Sequence, residues 1–143
     1  AYKEQYRSLN PTPTQLFEHS LTLLENLRSQ HKLLAVATGK GREGLERVWK
    51  ETATKHFFHG SRCALECKSK PDPEMLLQLL DELDIQAADA VMIGDTIHDL
   101  AMAKNAGVDS IGVTYGVHGR DDLAQFSPKY IVDSLAELEA ILI

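Results

Sequence analysis

The run LLAVAT at 33–38 is apolar without alternation, which is how a strand covered on both faces of a parallel sheet reads. Such a strand needs helices beside it, and the flanking sequence supplies them. Segment 14–30 spaces Leu16, Phe17, Leu21, Leu24 and Leu27 one, three and four apart, an amphipathic helix that Thr14 is placed to cap. Gly39 breaks the strand, and a second helix follows over 42–54 with Leu45, Val48 and Trp49 on one side. The apolar FFHGSRC at 57–63 has room for another strand.

The same rhythm continues to the end. A helix opened by Pro73 carries Met75, Leu76, Leu79, Leu80 and Leu83, since proline at a first helical position sacrifices no hydrogen bond. Then come a strand AVMIGD at 90–95, a helix over about 97–106 ended by Gly107, strands SIGVT at 110–114 and YIV at 130–132, and a last helix over 134–142. Strands separated by helices at this interval imply right-handed crossovers, hence an α/β fold with a doubly wound, Rossmann-like parallel sheet. The first thirteen residues differ: their two prolines read as a linker, with AYKEQYRSL as the end of a preceding helix.

Composition narrows the function classes. Twenty-one acidic against fifteen basic residues leave a formal charge of −6, which argues against nucleic acid or a membrane surface as partner and for a small substrate. No run approaches the roughly 18 apolar residues of a membrane span, and the N-terminus has no signal-peptide core, so a cytoplasmic location is expected. Cys63 and Cys67 form an isolated C-x3-C, a poor zinc pattern, and read as reduced core thiols.

In open parallel sheets ligands bind at the carboxyl ends of the strands. Thr38 ends the first strand ahead of Gly39, where its hydroxyl and the next N–H groups can face an anionic oxygen; a plain loop threonine is the alternative. Lys70, in KSKPDP, precedes a helix N-terminus, and the two together can hold a phosphate. Asp95 ends a buried strand in GDTIHDL, a costly place for a charge unless a cation such as magnesium meets it, and Asp99 shares the same face one helical turn on. A helix-capping aspartate followed by a first-turn acid would explain those two residues equally. Among the neighbours, His98 is not expected to be a metal ligand, because magnesium prefers oxygen and a first-turn helix position more often faces solvent. Lys40 and Arg42 are second-rank candidates for phosphate contact, a charged loop being the commoner explanation; Tyr115, Gly116 and His118 are expected to rim the pocket, and Trp49, Met75, Met92 and Met102 to belong to the core.

Taken in order, VATGK, KPDP and GDTIHDL resemble motifs two, three and four of the haloacid dehalogenase superfamily, nearest its phosphoglycolate-phosphatase-like branch. MLLQLL after the lysine, then AMAKNAGV and SIGVTYG, extend the likeness over most of 14–143. The resemblance implies a magnesium-dependent phosphomonoester hydrolase for a small phosphorylated metabolite. An aspartate attacks phosphorus, a second acid protonates the leaving oxygen, and water releases the aspartyl-phosphate. It assigns Asp95 as a direct magnesium ligand and Asp99 to the metal shell or to Lys70. Thr38 and Gly39 bind the phosphoryl oxygens, and Lys70 offsets charge on nucleophile and phosphate.

The family's first motif, D-x-D-G-T, supplies nucleophile and acid, and no D-x-D occurs here: Asp81 and Asp84 are three apart, Asp121 and Asp122 adjacent. The resemblance therefore implies a core, 14–143, lacking its first strand and most of a helical cap, with 1–13 the cap remnant and linker, and inactive alone. That strand would lie between those carrying Thr38 and Asp95. Either the two neighbours pair directly, another copy donates a strand to give a swapped oligomer, or an N-terminal segment completes the sheet. A non-catalytic metal- or phosphate-binding or interaction fragment is the alternative function. A phosphosugar mutase or a dehalogenase of the same superfamily is another, although retention of GDTIHDL favours phosphoryl transfer. A receiver domain would place its acidic pair first and its lysine last.

Overall fold

The structure is a computed structural model and describes residues 13–115 and 118–142, with side chains from Leu21 onward. In chain order it consists of α1 (Pro13–Ser29), β1 (Ala35–Ala37), α2 (Arg42–Thr52), β2 (Gly60–Arg62), α3 (Glu74–Leu83), β3 (Val91–Gly94), α4 (Ile97–Ala106), β4 (Asp109–Val113), α5 (Arg120–Ala124), β5 (Tyr130–Val132) and α6 (Leu135–Leu142). Short 3-10 turns at Lys55–Phe57 and Ala87–Asp89 lead into β2 and β3. The expected α/β alternation is present throughout.

Every strand pairing is parallel: Ala35 opposite Gly60 in β1–β2, Ile93 opposite Ile111 in β3–β4, and Gly112 opposite Ile131 in β4–β5. Neighbouring strand residues face opposite layers. Met92 packs with Met75, Leu76 and Leu79 of α3 and with Met102 and Ala103 of α4. Ile93, one residue on, packs with Leu23, Leu24 and Leu27 of α1 and Leu135 and Leu138 of α6. On β1, Ala35 and Ala37 join the α3–α4 layer, while Val36 meets Leu45 and Trp49 of α2. Helices therefore cover both faces, as apolar strands without alternation require. Trp49, Met75, Met92 and Met102 are all core residues.

Among the described residues the sheet is in two pieces, β1–β2 and β3–β4–β5, and β1 does not pair with β3. Direct pairing of these neighbours, one of the three expected repairs, is thus not adopted. An apolar cavity of about 380 Å³ opens instead between Leu33, Leu34 and Ala35 on one side and Ala90, Val91 and Ile93 on the other, floored by leucines of α3. It sits toward the amino ends of the strands.

Local differences have local causes. Helix α1 begins at Pro13, so Thr14 lies inside its first turn rather than ahead of it. Pro73 is the N-cap of α3 rather than its first residue, and Asp72 Oδ1 takes the Glu74 N–H at 3.0 Å. Helix α5 has only five residues, too few for periodicity to reveal, and is held by Leu123 packing against Gly112. Gly107 ends α4 in the left-handed conformation at φ 75°, as expected of a glycine after a helix. Residues 1–12, read as cap remnant and linker, lie outside the described residues, as do Gly116 and the side chains of Leu16 and Phe17.

Candidate active site

Thr38, Lys70, Asp95 and Asp99 all lie beyond the carboxyl ends of strands or on the helix that follows. Thr38 is the first residue past β1 and is buried, its N–H donating to the Arg62 carbonyl at 3.1 Å. Its hydroxyl accepts the Lys40 N–H at 3.1 Å, which curls the chain around Gly39 and leaves the hydroxyl proton to be donated elsewhere. The Gly39 backbone is exposed, and a Cβ there would meet nothing within 4 Å.

Arg42 is engaged by side chains of β2 and the loop after it. Its guanidinium forms a fork with Glu66, Nε to Oε2 at 2.9 Å and Nη2 to Oε1 at 2.8 Å, and Nη1 donates to Ser61 Oγ at 2.8 Å. The bond to Arg42 lowers the Glu66 pKa, and the same bond raises that of Arg42. Glu66 Oε1 also accepts the Cys63 N–H at 2.9 Å, and the Ala64 N–H donates to the Lys40 carbonyl at 3.0 Å. Arg42 thus ties the loop after β2 to the loop after β1. Cys63 and Cys67 are free thiols, and burial raises both of their pKa values.

Lys70 is buried rather than solvated. Its Nζ donates to Asp99 Oδ1, and the two side chains are 8% and 0% exposed. Asp99 is held from two other directions. Its N–H donates to Thr96 Oγ1 at 3.1 Å, and its side chain presses on the backbone of β3, so that a Cβ on Gly94 would stand 2.3 Å from Asp99 Cβ. Thr96 is the N-cap of α4. Capping therefore does not account for Asp95, which stands one residue earlier and is only 4% exposed.

The donor set around Asp95 suits a hard cation. Oxygen is the ligand type present, in the Asp95 carboxylate and, one turn on, in Asp99; His98 is exposed, with its ring against His118 at 6.2 Å between centroids. Among the described residues no third His, Cys, Asp or Glu joins a cluster with them. Tyr115 also belongs here: burial, and secondarily the Asp95 carboxylate, raise its pKa strongly.

Gly94, Thr96 as a cap, and the Arg42–Glu66 fork were not marked by the sequence reading. A small residue immediately before a strand-end aspartate was the available signal for the first. Nothing local announces the fork, whose members are 24 residues apart.

The model of the haloacid dehalogenase-like hydrolases matches residues 1–113. "Probable phosphatase IndB" of Dickeya dadantii is 36% identical over 138 residues, 96% of this chain and 59% of that protein. A phosphoglycolate phosphatase of Vibrio cholerae is 29% identical over 99% of this chain and 64% of its own length. Among solved structures, a haloacid dehalogenase-like family hydrolase from Streptococcus pneumoniae superposes with a TM-score of 0.76 at 27% identity, over 86% of this chain and 58% of that one. The chain thus spans roughly three-fifths of the proteins it matches.

Proposed function

Because this chain belongs to the haloacid dehalogenase-like hydrolases, we propose that it is the core of a magnesium-dependent phosphomonoester hydrolase for a small organic phosphate of the phosphoglycolate type. The observation that carries this reading is the buried Lys70–Asp99 pair beside buried Asp95. A lysine and carboxylates sequestered at strand ends are an expensive arrangement for stability alone, and they suit a site that must meet a phosphoryl group.

In this mechanism the Thr38 hydroxyl donates to a phosphoryl oxygen, and exposed Gly39 leaves the backbone open to the same group. Lys70, fixed by Asp99, places its ammonium where nucleophile and phosphate share negative charge. Asp95, with Asp99 as a more distant contributor, would hold magnesium, which when bound neutralises charge on the transferring group. The nucleophile has no candidate in this sequence, which contains no D-x-D. We assign it to a strand from outside these residues, seated in the gap between β1 and β3, with a cap completing the enclosure. The chain alone is then inactive. Among the described residues no helix is long and apolar enough to cross a membrane, and a cytoplasmic location accords with this reading.

The test is turnover of an aryl phosphate and of phosphoglycolate, with and without magnesium, by the 143-residue chain and by the same chain co-expressed with the segment upstream of it in its own reading frame. Magnesium-dependent turnover only in the completed protein is expected. Turnover by the chain alone, or none in the completed protein, would sink the proposal.

A further inference from the structure

His118 clasps the turn that carries Asp95 from both sides. Its backbone N–H donates to the Asp95 carbonyl at 3.0 Å. Its ring Nδ1 accepts the N–H of Ile97, the first residue of α4, at 3.1 Å. A first-turn N–H has no partner within its own helix, so it must be met from outside. Thr96 Oγ1 meets the N–H of Asp99, and His118 meets that of Ile97. The two anchors fall one residue either side of Thr96 and span the peptide units whose torsions aim the Asp95 carboxylate. The edge-on ring of His98, 6.2 Å away, packs beside the imidazole.

We infer that His118 is a positioning residue for the cation site. It touches neither metal nor substrate, and by holding residues 95 and 97 together it presets the direction of the Asp95 carboxylate. As acceptor, Nδ1 carries no proton, and the ring proton sits on Nε2. The inference rests on the reading of Asp95 as a magnesium ligand. Groups that orient a ligand from behind it commonly control metal affinity by about 10–100-fold when removed.

Two substitutions separate this role from mere packing. Asparagine places Oδ1 the same number of bonds from Cα as histidine places Nδ1, and Oδ1 accepts a hydrogen bond. His118→Asn therefore keeps both bonds, whereas His118→Ala removes the ring bond to Ile97 and leaves only the backbone bond to Asp95. Magnesium affinity of the 143-residue chain is measured by calorimetric titration, and exchange of the Ile97 amide by NMR without metal. In His118→Ala we expect magnesium affinity to fall about tenfold and Ile97 exchange to accelerate, with both near wild type in His118→Asn. Unchanged affinity in His118→Ala, or equal losses in both variants, overturns the inference, as does unaltered Ile97 exchange. If wild type and Asp95→Asn take up magnesium indistinguishably, the metal reading itself fails and the purpose assigned to His118 falls with it, whereas Ile97 exchange still reports the clasp.

Discussion

Lys70 and Asp99, 29 residues apart, form an ion pair that is almost wholly removed from solvent. Removing one partner of such a pair strands the other's charge in a low-dielectric setting. Lys70→Met is therefore expected to destabilise the chain by about 3–5 kcal/mol, read from urea unfolding. Adding Asp99→Leu should recover part of that loss, because the remaining charge is gone. A single variant as stable as wild type would mean that water reaches the pair.

Gly94 is required by its neighbour. A methyl group there would lie 2.3 Å from Asp99 Cβ and 2.9 Å from its Cγ, and neither atom is the far end of a flexible chain. Gly94→Ala should cost about 1–3 kcal/mol through overpacking and should push Asp99 away from Lys70. Thermal unfolding reads the first effect. A double-mutant cycle of Gly94→Ala with Lys70→Met reads the second, as non-additivity.

Thr96 caps α4 through the Asp99 N–H. Thr96→Ala is expected to cost about 1 kcal/mol, while Thr96→Ser, which keeps the hydroxyl, should lose little. Chemical denaturation of the three proteins side by side distinguishes capping from bulk.

The Tyr115 hydroxyl is buried and, among the described residues, finds no hydrogen-bond partner. Burial and the nearby Asp95 carboxylate raise its pKa above the ordinary 10.0. The folded chain thus keeps a proton that the unfolded chain releases once pH passes about 10, so this contribution to stability is present below that pH and is lost above it. Tyr115→Phe should flatten the decline in stability between pH 10 and 11. It should also leave the protein at least as stable at neutral pH, since it removes an unsatisfied polar group. Unfolding curves across that range test both.

Much of this architecture was legible from local pattern. The helices over 14–30, 42–54 and 97–106 and the strand at 130–132 follow from periodicity and glycine punctuation, which act within a few residues. Thr38, Lys70 and Asp95 stood out because each polar residue follows an apolar run or precedes a helix. Helix α5 was missed because five residues cannot display a helical stripe. Arg42 was read as a possible phosphate contact, but its guanidinium is occupied by Glu66 and Ser61, partners that sequence spacing does not identify.

What the sequence by itself determined is the order of strands and helices, their burial on both faces, and the family, because these depend on residue type and short-range spacing. Only the tertiary structure decided that Lys70 is buried and paired with Asp99. It also decided that Thr96 rather than Asp95 caps α4, and that β1 and β3 stand apart around an apolar gap. Those outcomes are set by competition among partners distant in the chain. A buried charge takes the partner that offsets its desolvation, and two strands pair only where their edges can meet.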